Sequence, residues 1–153
     1  MKSRRYTIDV LTARFSPFIT KVLDRLFMGG RRDADAPSSV NAHQIATVIM
    51  LCKEPVKRRN PAIRYLHFPL RDARPVRLSW LNASLITIEE RVARGAVQVY
   101  CQVGLSRPPT VVAAYLNRFG ILRLCGALGY LEDLRPAIAP SPVLVHTIAS
   151  ELR

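Results

Sequence analysis

The chain has 153 residues and a net charge of +12; 49% of its residues are hydrophobic and 22% are charged. This length suits one domain with a substantial core, and no apolar run approaches the roughly 18 residues that a membrane-spanning helix needs. The positive net charge predicts an anionic binding partner. The alternative is that the charge reflects a general compositional bias toward arginine. We expect no nucleic acid partner, because no nucleic-acid-binding motif accompanies the charge.

The N-terminal part of the chain predicts an extension followed by a first strand. Residues 1–24 have a mixed composition, and we expect a short element that packs on the main domain, residues 25–153. Acidic and polar residues interrupt the early apolar stretch, which argues against a signal peptide and favours a cytoplasmic location. Leu26–Met28 predicts a short strand stopped by two glycines, the polar stretch 31–39 a loop, and residues 40–44 a short helix.

The middle of the chain alternates between strands and helices. The continuous apolar run at 45–51 is typical of a strand covered on both faces, and the alternating segment at 63–68 predicts a second strand. Residues 78–94 predict a helix, because leucine, isoleucine and valine recur at steps of three and four. Residues 97–100 predict a strand that leads through a short loop into an apolar helix ending at Leu116.

The last third of the sequence predicts two more helices. Residues 122–134 repeat the helical pattern and stop at Arg135-Pro136, and Ser141 is positioned to cap a final helix. The predicted fold is therefore α/β, with a central, mostly parallel sheet of about four to five strands flanked by helices.

The loop between Cys101 and Arg107 connects a predicted strand to a predicted helix. It contains Gly104 and no acidic residue. Main-chain N–H groups of such a loop converge with a helix N-terminus on an anion, and a cysteine in that field is a candidate thiolate nucleophile. We therefore predict that the phosphate-binding residues are Gln102, Val103, Gly104, Leu105, Ser106 and Arg107.

The spacing of a cysteine and an arginine six residues apart occurs a second time, from Cys52 to Arg58. In that segment Glu54 would repel a phosphate group, and Pro55 has no N–H to donate. No apolar helix follows it. Sequence chemistry therefore favours Cys101 over Cys52 as the nucleophile, and the alternative is that Cys101 is structural.

The stretch from Tyr100 to Leu116 resembles the signature of the cysteine-dependent dual-specificity protein phosphatases, within the protein tyrosine phosphatase superfamily. Residues 26–30, 68–72 and 134–136 are similar to other segments of that family. The resemblance implies the family's fold and the hydrolysis of phosphate monoesters through a cysteinyl-phosphate. It implies no metal and no cofactor.

The same resemblance implies a role for each of three residues. Cys101 would attack phosphorus as a thiolate, and Arg107 would bind two equatorial oxygens. Asp72 would protonate the leaving oxygen and then activate water. Asp33 and Asp35 are rival acids, and we rank them lower because they occur much earlier in the chain.

Two positions depart from the family pattern. Tyr100 stands where the family has a histidine that helps to keep the thiol ionised, and Pro108 stands where it has a hydroxyl that helps the thiolate to leave. Ser106 and Thr110 are the nearest hydroxyls that would compensate. A slow phosphatase, or a phosphate-binding module without turnover, is therefore an alternative. A rhodanese-like sulfur carrier is a weaker one, since such proteins lack this loop pattern.

Basic residues cluster in the loops expected beside the phosphate site. In an open α/β sheet that site lies beyond the carboxyl ends of the strands, so the mouth should be positive. It suits acidic phosphoproteins or anionic lipid head groups, and peripheral membrane contact is an option. The uncharged loop interior favours phosphoproteins and makes a phospholipid phosphatase the alternative. The basic residues are Lys53, Lys57, Arg58, Arg59, Arg71, Arg74 and Arg77.

Cys52 ends a strand that should neighbour the strand of Cys101. The resemblance implies that such a cysteine forms a reversible disulfide with the nucleophile and protects it from over-oxidation. The alternative is a buried cysteine at the end of a strand, with no redox role.

Overall fold

The computed structural model describes residues 19–35, 42–71, 75–101 and 106–151. Within these residues the chain forms five strands and five helices. In chain order they are β1 (Thr20–Leu23), β2 (Leu26–Gly30), α1 (Arg31–Ala34), β3 (Ile45–Met50), β4 (Arg64–His67), α2 (Leu78–Val92), β5 (Ala96–Cys101), α3 (Arg107–Arg118), α4 (Leu124–Leu134) and α5 (Pro142–Glu151).

The five strands form one sheet in the order β1-β2-β5-β3-β4. β1 pairs antiparallel with β2, and every other neighbouring pair is parallel. The predicted mostly parallel sheet is confirmed. Its edge strand Thr20–Leu23 comes from the end of the segment that the sequence predicts as an extension, whereas residues 1–18 lie outside the described residues.

The parallel register brings the carboxyl ends of four strands to one edge of the sheet. Gly30 is aligned with Cys101, and Met50 is aligned with both Tyr100 and His67. The chain therefore leaves β3, β4 and β5 at this edge. Because a parallel sheet places its ligands beyond that edge, the register positions the candidate site.

Helix α3 lies at the centre of the core. All nine residues from Pro108 to Leu116 are buried, as expected for a helix that contacts β2, β5, α2, α4 and α5. The hydroxyl of Tyr115 donates a hydrogen bond to Glu89 on α2 at 2.5 Å, and the hydroxyl of Tyr130 on α4 donates to the main-chain oxygen of Val22 at 2.6 Å. The first bond therefore joins α3 to α2, and the second joins α4 to the edge strand β1.

Several predicted element boundaries differ in the structure. β2 continues through both glycines, and the predicted loop 31–39 begins with the short helix α1. The prediction of a helix over 40–44 falls partly outside the described residues. In α2 the buried apolar stripe begins at Leu81, because Leu78 in the first turn is 40% exposed.

The predicted cap of the last helix is wrong in one respect. α5 does begin directly after Ser141, but the buried hydroxyl of Ser141 makes no hydrogen bond to any described residue. Its main-chain oxygen instead accepts the N–H of Val145 at 2.9 Å. No helix in the described part of the chain is both long enough and apolar enough to cross a membrane.

Candidate active site

Cys101 and Arg107 occupy the two ends of the loop that joins β5 to α3. Cys101 is the last residue of β5 and is buried; Arg107 is the first residue of α3 and is half-buried. The predicted phosphate-binding residues Gln102, Val103, Gly104 and Leu105 lie outside the described residues, so their role stays a prediction. The candidate nucleophile therefore ends a strand and the candidate phosphate-binding arginine begins the helix that comes next in the chain.

Helix α3 begins at Arg107, one residue before Pro108. Ser106 is its N-cap residue, Arg107 its first residue, and Pro108 its second. Proline fits here because the first N–H groups of a helix have no partner within it, so a missing N–H costs no hydrogen bond. Thr110 donates its hydroxyl to the main-chain oxygen of Ser106 at 2.7 Å, which tightens the first turn.

The Arg107 guanidinium is held by the segment that follows β4. Its Nη1 donates a hydrogen bond to the main-chain oxygen of Leu70 at 3.1 Å, while its Nε is buried without a hydrogen-bond partner among the described residues. The N–H of Leu70 donates to Leu51, and the N–H of Leu51 donates to Tyr100, each at 2.8 Å. This ladder links Arg107, through the loops after β4 and β3, back to the residue before Cys101.

Asp72 lies outside the described residues, together with Ala73 and Arg74. Its two preceding neighbours are described: Leu70 is buried and bonded to Arg107, and Arg71 is exposed. The segment that carries the predicted acid is therefore bonded, through its residue Leu70, to Arg107. The role of Asp72 as general acid remains a prediction.

Cys52 is fully buried close to the same site. Burial raises the pKa of its thiol; the positive charge of Arg107 lowers this pKa and the neighbouring Cys101 raises it. The Cys52 thiol donates to the main-chain oxygen of Glu54 at 3.2 Å, and no disulfide joins Cys52 and Cys101 in this structure. Cys52 is therefore a buried free thiol at the same edge of the sheet as Cys101.

In the second cysteine–arginine segment, from Cys52 to Arg58, the carboxylate of Asp35 competes with phosphate for the main chain. One carboxylate oxygen of Asp35 accepts the main-chain N–H groups of Lys57 at 2.8 Å and Arg58 at 3.3 Å. The other lies 3.5 Å from Nε of Arg31. Two of the main-chain N–H groups of this segment are therefore already occupied by a carboxylate of the protein.

This arrangement also bears on the rival acids. Asp35 is a structural carboxylate that positions the loop after β3, which is a role the sequence prediction missed. Its i,i+4 spacing from Arg31 was the only sequence signal for it. The side chain of Asp33 is outside the described part of the structure.

Tyr100 is fully buried beside Cys52 and Asp35. Adjacent strand residues point to opposite faces, so its ring lies on the other face of β5 from the Cys101 side chain. Burial raises the pKa of its phenol, and the nearby Cys52 and Asp35 raise it further. Tyr100 is therefore a neutral space-filling residue, and it brings no positive charge to the loop.

The loop after β3 presents its basic side chains in a defined arrangement. Tyr65 accepts the main-chain N–H of Asn60 at 2.9 Å, and the Arg59 guanidinium stacks 5.2 Å from the centre of the Tyr65 ring. His67 Nε2 lies 2.5 Å from the main-chain oxygen of Cys52. Of the predicted basic residues, those that are described are exposed at the carboxyl edge of the sheet: Lys53, Lys57, Arg58, Arg59, Arg71 and Arg77.

Comparison with known proteins places the chain in one family. Residues 26–151 match the family model of the dual specificity phosphatase catalytic domain. The chain is 30% identical over 129 residues to human dual specificity phosphatase 28, covering 82% of this chain and 73% of that protein. It is 28% identical over 125 residues to human dual specificity protein phosphatase 16, covering 80% of this chain but only 19% of that longer protein.

The similarity extends to three dimensions. The crystal structure of human dual specificity phosphatase 28 superposes with a TM-score of 0.78 at 26% identity, covering 86% of this chain and 93% of that one. The matched region contains β5, the Cys101–Arg107 loop, α3 and every described helix after it.

Proposed function

This chain belongs to the dual specificity phosphatase family, and we propose that it hydrolyses phosphate monoesters on proteins through a cysteinyl-phosphate intermediate. The observation that carries the proposal is the position of Cys101 at the end of β5, with Arg107 opening α3 and bonded to Leu70. A thiol and a guanidinium at the ends of one loop provide a nucleophile and a binder of phosphoryl oxygens.

In the first step the Cys101 thiolate attacks phosphorus and the bond from phosphorus to the ester oxygen breaks. Asp72 donates its proton to that oxygen, and the dephosphorylated hydroxyl leaves. Arg107 spreads the negative charge of the equatorial oxygens over its two-pronged guanidinium.

In the second step water attacks the cysteinyl-phosphate and Asp72 accepts a proton from it. The sulfur–phosphorus bond breaks, sulfur leaves as the thiolate, and inorganic phosphate is released. The bridge from Leu70 to Arg107 supports this scheme, because it starts the Asp72 segment beside the phosphate-binding arginine.

We infer that the substrates are phosphoproteins with acidic sequence around the phosphorylated residue. The exposed basic side chains at the mouth support this inference through charge complementarity. A phospholipid head group and a peripheral contact with an anionic membrane are the alternatives from the same charge. The cytoplasmic location expected from the N-terminal sequence also remains a prediction.

A second candidate function is phosphate binding with slow or no turnover. Tyr100 favours it because a buried neutral phenol cannot supply the positive charge that would stabilise a thiolate. Pro108 favours it because it offers no hydroxyl to the departing sulfur.

Hydrolysis of p-nitrophenyl phosphate by the wild type, Cys101→Ser and Asp72→Ala tests the proposal. We expect no turnover by Cys101→Ser. We expect Asp72→Ala to lower kcat about a hundredfold or more on a phosphopeptide whose leaving group needs a proton. Wild-type activity no higher than that of Cys101→Ser would reject the phosphatase function. Phosphate binding without turnover would then remain, and calorimetry with a phosphotyrosine peptide would detect it.

A further inference from the structure

A cavity of about 580 Å³ lies between the segment after β4 and the start of α2. Pro69, Leu70 and Arg71 form one side of it, and residues 75–77 with Ser79 and Trp80 form the other. All eight described lining residues lie between Pro69 and Trp80 in the sequence, so the cavity is formed where the residues after β4 face those that begin α2. Its size is within the range of ordinary ligand sites.

The walls of the cavity are largely apolar and are held in place. The Trp80 ring is 38% exposed and meets the Phe68 ring edge-on, with 5.6 Å between ring centres. Val76 packs against the hydrophobic core. Two prolines in the lining, Pro69 and Pro75, restrict the backbone on either side of the cavity.

The cavity shares a wall with the candidate active site. Leu70 lines the cavity, and its main-chain oxygen accepts the hydrogen bond from Nη1 of Arg107. The cavity and the arginine that would bind phosphate therefore contact the same residue, Leu70.

The charge around the cavity is positive. Arg71 and Arg77 line it and are exposed, and none of its described lining residues is acidic. An apolar cavity with a basic rim is complementary to an apolar side chain that is flanked by carboxylates. A phosphorylated peptide with acidic and apolar residues has this chemistry.

We propose that this cavity binds an aromatic or branched aliphatic side chain of a phosphopeptide while the phosphate occupies the Cys101–Arg107 loop. Trp80 and Val76 contact that side chain, and Arg71 and Arg77 attract its acidic neighbours. The proposal rests on the proposed phosphatase function and specifies the substrate class for it.

The test uses acidic phosphotyrosine peptides that carry a single leucine or alanine at each flanking position in turn. We expect the wild type to show a kcat/KM about tenfold or more higher for leucine than for alanine at one position, since an apolar side chain in a pocket discriminates by this order. Ser79→Trp, which fills the cavity from an exposed helix position, is expected to reduce that ratio to about one. Because the ratio compares two peptides within one variant, a general loss of activity does not affect it.

The matched control is Ile86→Trp. Ile86 is an exposed apolar residue on the same helix, 48% accessible and outside the cavity lining, so the leucine preference should persist there. A second variant, Trp80→Ala, should also abolish the preference, with its melting temperature measured because Trp80 packs on Phe68.

The outcomes separate this proposal from the proposed function. If the protein hydrolyses p-nitrophenyl phosphate but prefers leucine at no position, or keeps the preference in Ser79→Trp, the cavity proposal is overturned. If it hydrolyses no phosphate ester, the proposed function fails, and the ratio of Kd values for the same peptides, measured by calorimetry, decides the cavity proposal. A short-chain phosphatidylinositol phosphate is the comparison substrate. If it is hydrolysed better than the peptides, and if Ser79→Trp selectively lowers its turnover, the proposal that a peptide side chain occupies the cavity is overturned.

Discussion

Nη1 of Arg107 donates a hydrogen bond to the main-chain oxygen of Leu70 across 3.1 Å. The two residues are 37 positions apart in sequence, yet this bond joins the start of α3 to the segment after β4. Since Leu70 is itself bonded to Leu51, the arginine is positioned by the sheet and not only by its own helix. The same bond connects the candidate phosphate site to the cavity beside Trp80.

Arg107→Lys should lower the kcat for p-nitrophenyl phosphate about a thousandfold, the order associated with an arginine that stabilises a phosphoryl transition state. A lysine ammonium is a single point of charge and cannot span two oxygens while also bonding to Leu70. Steady-state kinetics and a melting curve check this. Arg118→Lys, an exposed position at the end of the same helix, is the control, and a loss below tenfold at Arg107 would contradict the assigned role.

Pro108→Ser should raise kcat about tenfold if hydrolysis of the phospho-enzyme is slow. The new hydroxyl can donate a hydrogen bond to the departing sulfur, and such a bond to a charged group contributes about 1.5–3 kcal/mol. Stopped-flow kinetics should show a burst of p-nitrophenol in the wild type that shrinks in the variant.

Pro109→Ser is the matched control for that experiment, because Pro109 is the next residue of α3 and is equally buried. It should leave the burst unchanged. Equal bursts in the wild type and Pro108→Ser would show that the second step does not limit turnover.

Mild peroxide treatment should link Cys52 to Cys101 by a disulfide. Peroxide oxidises the Cys101 thiolate to a sulfenic acid, and the Cys52 sulfur then displaces water from it. Burial raises the pKa of Cys52, so we expect Cys101 to be oxidised first. Mass spectrometry in a Cys125→Ser background, which removes the exposed third thiol, identifies the link.

The matching functional measurement is recovery of activity with dithiothreitol. The wild type should recover, whereas Cys52→Ser should lose activity irreversibly as Cys101 proceeds to the sulfinic acid. Identical recovery of the two proteins would rule out a protective role for Cys52.

Tyr115→Phe should lower the free energy of unfolding by about 1–2 kcal/mol, because it removes the hydrogen bond to the carboxylate of Glu89 between α3 and α2. Burial, and then Glu89, raise the pKa of Tyr115 above its ordinary value of 10.0. Above that pH the unfolded tyrosine ionises while the folded one stays protonated, so the advantage of the wild type should shrink as pH rises.

Urea denaturation at neutral and alkaline pH measures both effects. Glu89→Gln is the control, since it retains an acceptor for the hydroxyl but removes the charge, and it should cost less than Tyr115→Phe. A difference between wild type and Tyr115→Phe that grows above pH 10 would contradict the assigned direction of the pKa shift.

The sequence by itself determined the main strands and helices and the positions of Cys101 and Arg107 between a strand and a helix. The apolar run at Ile45–Met50, the helical periodicity of α2 and the strand–loop–helix around Cys101 all depend on residues close together in the chain. Periodicity and turn chemistry report such local structure, so the mostly parallel sheet and the positions of Cys101 and Arg107 at the loop ends were predictable from it.

Only the tertiary structure decided which distant residues meet. The use of Asp35 to occupy the N–H groups of Lys57 and Arg58 and the anchoring of Arg107 on Leu70 both join segments that are distant in the sequence. Such contacts depend on strand register and helix packing, and no local pattern in the sequence encodes them. Spacing identified two cysteine–arginine pairs, and local sequence chemistry favoured the pair of Cys101 and Arg107. The fold added that a carboxylate of Asp35 already binds main-chain N–H groups beside the second pair.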